Sequence, residues 1–366
     1  MQAPGIADAA TQRDALAGRL LDATLGLMEL GAVYLGDRLG LYRALARSSG
    51  MTSAELAAAA GVHERYVREW LEQQAVSGFL EVDAGDRPAE ARRYALPAGH
   101  AEVLVDPDSL ATMVPFAQFG VGVIRVRPAL LEAFRTGGGV SWAQFGSDLR
   151  EAQAATNRPA FLQLLGQAWL PAVPDLHARL QAEPAARVAD VACGAGWSAI
   201  GLARAYPKAR VDGLDLDGPS IELAQANVAR AGLTDRVTMM VRDAADPSLA
   251  GRYDLVTIFE ALHDMSRPVE ALRACRQLLA PGGSVLVVDE RVSDTFVAPG
   301  DQTERLMYGF SILCCLPSGM ADQPSAATGT VMRVDTLRRY AAEAGFHTAE
   351  VLPIPHDFFR FYRLRP

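Results

Sequence analysis

Long apolar runs are missing from this 366-residue sequence. None reaches the roughly 18 residues that a membrane-spanning helix needs, and residues 1–20 lack the basic segment and apolar block of a secretory signal. Cysteine is scarce as well, and the four cysteines show neither disulfide nor zinc-site spacing: Cys193, Cys275, Cys314 and Cys315. We therefore expect a cytoplasmic protein with reduced thiols, no metal and no membrane partner.

Positive charge is the next shortage. The formal net charge is −8, and Lys208 is the only lysine among the 35 basic residues. Proteins that bind nucleic acids usually present a basic surface to the phosphates, so this composition disfavours a nucleic-acid partner. Hydrophobic residues, by contrast, make up 50% of the chain, and its length accommodates two or three domains with separate cores.

Residues 1–104 are predicted to form N-terminal helices followed by a winged-helix domain. Apolar residues recur at spacings of three and four along 11–47, which indicates a helix. Thr52 and Glu55 form a capping box that begins a short second helix. The helix after it is predicted to bury one face, and "FLEV" and "RRYAL" to form a hairpin wing. The residues assigned to that face are Tyr66, Val67, Trp70, Leu71 and Val76.

The charge of this domain bears on its role. Residues 51–100 hold five arginines against eight acidic residues, and the third predicted helix interleaves glutamates with its arginines. A helix that reads a DNA groove presents a basic face to the phosphates. We therefore predict that the domain serves dimerisation, which makes the chain a homodimer, with DNA binding as the alternative.

Residues 105–182 are predicted to be a mostly helical connecting region that is rich in aromatic side chains. The run "TGGGVSW" at 136–142 indicates a flexible loop or hinge. Trp142 and Phe145, which lie at its end and just beyond it, are predicted to form a lid that touches the substrate.

From residue 183 onward, strands alternate with helix-length segments, which predicts a parallel sheet with crossover helices. The first strand leads into a turn with the spacing Asp190-x-x-x-Gly194-x-Gly196, and Asp215 ends the next strand. This spacing suits a dinucleotide as well as S-adenosylmethionine. Asp190 favours the second ligand, because its carboxylate repels a pyrophosphate and attracts an ammonium or a sulfonium.

Two further segments favour the same ligand. "VRDAAD" ends the third strand with Asp243, which is placed to accept a hydrogen bond from an adenine amino group. The C-terminal "GFHTAEVLPIPHDFFRFYRL" predicts an antiparallel hairpin, where a dinucleotide domain would continue parallel. Residues 185–366 resemble the class I S-adenosylmethionine-dependent methyltransferases, whose sheet ends in such a hairpin and whose fifth strand follows a turn like that in "LLAPGGSVLVVDE".

The resemblance implies an α/β fold with a Rossmann-like methyltransferase domain over 183–366, preceded by the α-helical winged-helix domain. Its sheet is expected to be mostly parallel and seven-stranded, with a terminal antiparallel hairpin. Asp215 would take the ribose hydroxyls of the cofactor, and Ala192 stands where family members often have a glycine. The implied cofactor-binding residues are Asp190, Ala192, Gly194, Gly196, Asp215, Leu216, Asp243, Ala244 and Phe259.

The segment "FEALHDMSRP" resembles the "HD" motif of plant-type small-molecule O-methyltransferases, which also carry an N-terminal winged-helix dimerisation domain. Bacterial two-domain methyltransferases share that layout. The resemblance implies His263 as the general base and Asp289 as the acid that orients it, with Glu290 as the alternative if the register differs by one. A substrate-orienting role and a metal-ligand role are the alternatives for His263, and the other histidines show no ligand spacing.

The acceptor side is implied by the same resemblance. The helix predicted over 303–320 resembles the one that lines the acceptor pocket, with Met307 and Tyr308 toward an apolar substrate. Asp264 is predicted to cap a helix or to neighbour His263 beside the substrate.

The leading prediction is therefore S-adenosylmethionine-dependent methylation of a small, largely apolar or aromatic acceptor at oxygen. Methyl transfer requires collinear positioning of nucleophile, methyl and sulfur, and a hydroxyl acceptor also requires a base. Carbon or nitrogen methylation is the alternative within the class. From other classes, the alternatives are a metabolite-sensing winged-helix regulator and a dinucleotide oxidoreductase.

Overall fold

The structure is a computed structural model that describes residues 8–83 and 85–366. Residues 1–7, part of the segment inspected for a secretory signal, and Ala84, in the predicted hairpin turn, lie outside the described residues. The chain divides into two compact units, 1–121 and 122–366. The predicted connecting region 105–182 is thus shared between the two units.

The first unit consists of helices and one small hairpin. Its elements are α1 Ala9–Arg38, α2 Leu41–Leu45, α3 Ser53–Ala60, α4 Glu64–Val76, β1 Glu81–Asp83, β2 Arg93–Ala95, α5 Ala98–Leu104 and α6 Val114–Arg125, the last of which runs into the second unit. The predicted capping box is present, because Thr52 Oγ1 accepts from Glu55 N and the Glu55 carboxylate accepts from Thr52 N. Strands β1 and β2 pair antiparallel as the predicted wing.

The buried face of α4 is narrower than predicted. Val67, Trp70 and Leu71 lie in the core of the unit, but Tyr66 is 80% exposed and Val76 is 90% exposed. The prediction for these two residues was wrong, because the stripe continues through Gln74, whose side chain accepts a hydrogen bond from the buried Tyr42 hydroxyl. A buried polar residue with an internal hydrogen-bond partner therefore lies on this face, which the pattern of apolar residues did not predict.

The first unit has two distinctive surface features, one on α4 and one on α1. The arginines of α4 are paired with glutamates, Arg65 with Glu69 and Arg68 with Glu64 and Glu90. Helix α1 leaves a set of large apolar side chains exposed, namely Leu16, Leu20, Leu21, Leu25, Leu27, Met28, Leu30 and Leu35. Contiguous exposed apolar surface of this kind commonly marks an interaction site.

The second unit is a sheet covered by helices. Its elements are α7 Arg127–Thr136, α8 Trp142–Gln163, α9 Pro174–Gln181, β3 Arg187–Val191, α10 Trp197–Ala205, β4 Arg210–Asp215, α11 Gly218–Arg230, β5 Val237–Val241, β6 Tyr253–Phe259, α12 Pro268–Leu278, β7 Leu279–Glu290, α13 Gln302–Phe310, α14 Leu316–Gly319, α15 Val334–Glu343, β8 Thr348–Val351 and β9 Phe359–Arg365.

The seven strands follow the order β5-β4-β3-β6-β7-β9-β8. Strands β3 to β7 are parallel to one another, and β9 pairs antiparallel with both β7 and β8. The predicted fold class is confirmed, including the terminal antiparallel hairpin.

The central parallel strands β3, β6 and β7 are buried on both faces, as strands in parallel sheets are. In β7, Leu286 and Val288 belong to one hydrophobic cluster, and Val285 and Val287 belong to the cluster on the opposite face. This alternation is the period of two that a strand imposes. Among the described residues, no single helix has the length and apolarity to span a membrane, whereas α6 and α7 meet both criteria as a pair, bent by 59° at their junction.

Candidate active site

Parallel strands end at one edge of the sheet, and the candidate site lies there. From β3 the chain proceeds to β4 and β5 on one side and then to β6 and β7 on the other. The position between β3 and β6 is therefore a topological switch point, where open α/β sheets bind ligands. The glycine turn follows β3, and the turn with His263 follows β6.

The glycine turn has three residues with left-handed backbone: Ala192 at φ 57°, Gly194 at φ 50° and Gly196 at φ 78°. A Cβ on Gly194 would meet no atom within 4 Å, whereas one on Gly196 would lie 2.8 Å from the Met239 methyl carbon. The turn is thus closely packed at Gly196 and faces open space at Gly194. That open space next to the backbone fits a ligand that approaches the main chain.

Two carboxylates support this turn. Asp190 is buried and accepts from Ser198 Oγ at 2.5 Å and Thr257 Oγ1 at 2.7 Å. Asp215 accepts from the backbone N–H groups of Gly194 and Asp217, both at 2.9 Å. Burial raises the pKa of Asp190 to about 6 and raises the pKa of Asp215, although these hydrogen bonds oppose the shift.

The other predicted cofactor residues lie around the same edge. Leu216 is 73% exposed, Asp243 accepts from Ala245 N at 2.8 Å, and Ala244 packs against the hydrophobic core. Phe259 is buried, and its ring lies 5.0 Å from that of Phe161 on α8.

Helix α8 is fastened to this region by a second contact that the sequence did not reveal. Arg150 donates to Asp217 at 2.8 and 3.3 Å, and both side chains are largely buried. Asp217 also caps α11 by accepting from Ser220 N. The ion pair therefore joins α8 to the loop that follows Asp215.

His263 is the centre of a buried acidic cluster. Its Nδ1 lies 2.7 Å from Asp289 Oδ1 in a hydrogen bond and 3.0 Å from Glu290 Oε2. Its Nε2 lies 3.1 Å from Asp264 Oδ1. Glu290 Oε2 and Asp264 Oδ1 are close enough to attract a charged ring, but they are not aligned to accept a hydrogen bond within the described part of the chain.

The groups of the cluster shift one another's pKa values. Burial would lower the pKa of His263, but the carboxylates of Asp289, Glu290 and Asp264 outweigh it and raise that pKa well above the ordinary value. Burial raises the pKa of Glu290 well above its ordinary value. For Asp289, burial is outweighed by His263, which keeps the pKa of this carboxyl low. These shifts favour the charged form of His263, the ionised form of Asp289 and the neutral form of Glu290.

One acid of the site was missed by the sequence analysis. Glu260 directly follows β6 with φ 47°, a left-handed conformation that is rare for a residue with a side chain. Its Oε1 is buried and has no hydrogen-bond partner among the residues described. Its place at the end of a strand, next to Phe259, was the signal that could have indicated it.

The predicted acceptor residues differ in their exposure. Phe145 and Met307 are buried, while Tyr308 and Trp142 are partly exposed. Between α13 and α14 the chain forms a π-helical turn, Ser311–Cys315, and α14 then packs on the His263 turn. A Cβ on Gly319 would lie 3.1 Å from the carbonyl oxygen of Asp264.

The predicted glycine hinge is held in place. Val140 N donates to Pro317 O at 2.9 Å, and a Cβ on Gly139 would overlap the backbone of Met320 and Ala321. Gly139 therefore permits a close backbone approach, so that the loop is packed at this residue rather than free to bend.

Two sets of donor atoms in the described residues lie within 4.8 Å of one another, the spacing that a divalent cation needs. They are His263 with Asp264 and Cys315, and His263 with Asp289 and Glu290. In both sets the imidazole already lies against the carboxylates.

Comparison with known families decides the class of protein. A family described as "Methyltransferase domain" matches residues 188–283, and one described as "Rv2258c-like winged HTH domain" matches residues 23–106. The chain combines an N-terminal winged helix-turn-helix domain with a methyltransferase domain. The predicted two-domain recognition is confirmed, and the alternative of a dinucleotide oxidoreductase was wrong.

Relatives of the methyltransferase agree with this assignment. It is 29% identical to the ubiquinone biosynthesis O-methyltransferase of Aromatoleum aromaticum over 171 residues, 47% of this chain and 68% of that protein. Further relatives of the same name match over 100 to 103 residues, only 40–42% of their own length.

Solved structures share the fold over the whole chain. The mitomycin 7-O-methyltransferase structure has a TM-score of 0.72 at 21% identity and covers 98% of this chain and 99% of its own. Human N-acetylserotonin methyltransferase, in complex with S-adenosylmethionine, has a TM-score of 0.70 at 18% identity and covers 99% of each chain. The cofactor of the methyltransferase is S-adenosylmethionine, which fits the open space at Gly194.

Proposed function

We propose that the chain methylates a hydroxyl group on a small, apolar or aromatic acceptor, with His263 as the general base. The observation that carries this proposal is the 2.7 Å hydrogen bond between His263 Nδ1 and Asp289 Oδ1 at the edge that also holds the glycine turn. A carboxylate on Nδ1 fixes the tautomer in which Nε2 accepts a proton. The names of two relatives, both O-methyltransferases, support oxygen as the acceptor atom.

The base must become neutral before it acts, and the neighbouring carboxylates raise the pKa of His263 and so favour its protonated ring. We propose that the acceptor hydroxyl displaces the Asp264 carboxylate, which lies 3.1 Å from Nε2. Loss of this negative neighbour and exclusion of water both lower the pKa of the imidazole. As its pKa falls, the ring releases its Nε2 proton to solvent. Nε2 then accepts the hydroxyl proton, and Asp289 stabilises the imidazolium that forms. S-adenosylmethionine, when bound, supplies an electrophilic methyl group.

The remaining site residues have proposed positioning roles. Trp142, Phe145, Met307 and Tyr308 supply apolar and aromatic surface for the acceptor, while Asp264 marks the position of its hydroxyl. The cofactor residues hold their ligand through the geometry of the glycine turn and through Asp215, to which we assign the ribose hydroxyls.

The direct test is transfer of labelled methyl groups from S-adenosylmethionine to a panel of phenols, enols and amines. We expect labelled phenols, and a loss of turnover of about 10²- to 10⁴-fold in His263→Ala with unchanged cofactor affinity. We also expect kcat/KM to rise with pH at a higher pKa than kcat, because only the free enzyme retains Asp264 against Nε2. Methylated amines together with full turnover in His263→Ala would favour nitrogen methylation.

We propose a second copy of the chain as the partner of the exposed apolar face of α1, which makes the protein a homodimer. In sedimentation velocity, Leu20→Glu combined with Leu27→Glu should yield monomers, whereas Arg19→Glu on the same helix should leave the dimer intact. We propose no nucleic-acid partner, since Arg65 and Arg68 of α4 are paired with glutamates. A specific gel shift with promoter DNA would instead support the regulator.

A further inference from the structure

Glu260 occupies a strained position between the two halves of the site. Strands β3 and β6 pair with Val191 opposite Ile258, so Glu260, two residues further on, is level with the glycine turn. His263 follows three residues later. The backbone N–H of Glu260 donates to Val288 O at 2.8 Å, which anchors the left-handed residue to β7.

The carboxylate of Glu260 is held by weak partners. On the side of α8, Gln153 Nε2 lies 3.4 Å from Oε2, and Asn157 lowers the pKa of the same carboxyl. From the turn and from β7, it faces His263 and Asp289. Its Oε1 is buried and has no hydrogen-bond partner in the described chain. Burial raises the pKa of Glu260 to about 7, even though His263 and Asn157 oppose the shift.

Neither the strain nor the unpaired oxygen contributes to the fold. A left-handed conformation of a residue with a Cβ is unfavourable, and so is a buried acceptor without a hydrogen bond. Such residues persist at ligand sites, where the ligand completes what the protein leaves open. A carboxylate oxygen at this place is complemented by a positive charge.

We propose that Glu260 binds the positive charge at the methionyl end of S-adenosylmethionine, either its ammonium or its sulfonium. This inference rests on the cofactor class and does not require His263 to be the base. The two sources of charge are separable, because the product S-adenosylhomocysteine keeps the ammonium and lacks the sulfonium. Glu260 would then be a cofactor-recognition residue, and in the sulfonium case it would also favour exchange of product for fresh cofactor.

The test is calorimetric titration of wild-type protein and Glu260→Gln with both adenosyl ligands at pH 8. We expect the variant to bind S-adenosylmethionine at least about tenfold more weakly, as for loss of a charged hydrogen bond. An equal loss for S-adenosylhomocysteine assigns the ammonium, and a loss confined to S-adenosylmethionine assigns the sulfonium. Unchanged affinity for both ligands would overturn the proposal. Glu270→Gln, which removes one exposed carboxylate from α12, is the matched control.

Proton release gives a readout independent of affinity. A cation that binds Glu260 lowers its pKa and expels the proton that a group with a pKa near 7 partly holds. Binding heats at pH 7 should therefore differ between phosphate and Tris buffers for wild type but not for Glu260→Gln. A difference that persists in the variant would come from another group, His263 foremost, and would contradict the assignment.

Glu260→Gly separates binding from folding, because glycine adopts the left-handed backbone without strain. We expect its Tm to equal or exceed that of the wild type while S-adenosylmethionine binding is weakened as in Glu260→Gln. A stable Glu260→Gly variant with wild-type affinity would also overturn the proposal.

Discussion

The two halves of the sheet edge treat their carboxylates in opposite ways. Beside β3 and β4, all four oxygens of Asp190 and Asp215 accept hydrogen bonds from the protein. Beside β6 and β7, one buried oxygen on each of four acids has no hydrogen-bond partner in the described residues, namely on Glu260, Asp264, Asp289 and Glu290.

We interpret this difference as two roles, support of the glycine turn on one side and interaction with ligands and protons on the other. Satisfied carboxylates fix the shape of the glycine turn whether or not a ligand is present. Unsatisfied ones raise the free energy of the empty site and interact with whatever brings a proton or a positive charge. We therefore expect changes on the β6 and β7 side to alter turnover, proton equilibria and, at Glu260, cofactor affinity, and changes on the β3 and β4 side to alter affinity and stability.

The largest effect should come from substituting Asp289, one of the two acids near Nδ1 of His263. Glu290 is the other acid. Asp289→Asn removes the ionised partner of His263 and should lower kcat by about 10²- to 10⁴-fold. Because the pKa of the imidazole falls with it, the rise of the remaining activity should move to lower pH. Glu290→Gln replaces a carboxyl whose raised pKa favours the neutral form, so kcat should change by less than about threefold.

Steady-state pH profiles of both variants give the answer. If Glu290→Gln were as damaging as Asp289→Asn, the orienting acid would be Glu290, and the assignment would shift by one residue.

The next largest effect concerns affinity on the β4 side. Asp215→Asn keeps only one acceptor oxygen for the two N–H groups and leaves fewer sites for a ribose. We expect both adenosyl ligands to bind about 10- to 100-fold more weakly, since neither contact depends on the sulfonium. Calorimetry measures this, with the exposed Asp235→Asn as control. Wild-type affinity in Asp215→Asn would reduce Asp215 to a support for the turn.

A smaller effect is expected for the ion pair that fastens α8. Arg150→Ala leaves the largely buried Asp217 without its cation and should lower the free energy of unfolding by about 1–3 kcal/mol. Helix α8 should then open more readily, with cofactor dissociation about fivefold faster by stopped flow. Arg135→Ala, which loses only an exposed pair with Glu132, should change neither quantity. Equal behaviour of the two variants would mean that α8 is held by other contacts.

The smallest effect should come from Ala192, which adopts φ 57° in the glycine turn. Ala192→Gly relieves about 1–2 kcal/mol of backbone strain in the folded state. The greater freedom of the unfolded chain costs about 0.5–1 kcal/mol and cancels part of that gain. We expect a slightly higher Tm in thermal unfolding and cofactor affinity within about twofold of wild type. A large change in affinity would show that this half of the site is also poised for its ligand.

Much of the fold was accessible from sequence because the signals are local. The capping box of Thr52 and Glu55 needs three residues, and the strand–turn–helix around Gly194 needs about twenty. The terminal hairpin was visible as two extended segments separated by prolines. Tyr66 and Val76 were misassigned because the buried face of α4 includes Gln74 instead. The apolar pattern does not show the hydrogen bond from Tyr42 that allows Gln74 to be buried.

Less of the site was accessible, because its features depend on residues far apart in the chain. Arg150 and Asp217 are 67 positions apart. The positive φ of Glu260 leaves no trace in composition or spacing. Such features follow only from the packed structure.

The π-helical turn between α13 and α14 has a consequence for the orientation of α14. Such a turn holds one residue more than the α-helical turn it replaces. A descendant that lost one residue within Ser311–Cys315 would present α14 rotated by about 100° around its axis. Since Gly319 lies against the backbone of Asp264, that single deletion would re-orient the helix at the catalytic turn. A one-residue change at this turn would therefore alter which side chains of α14 face the turn that holds His263.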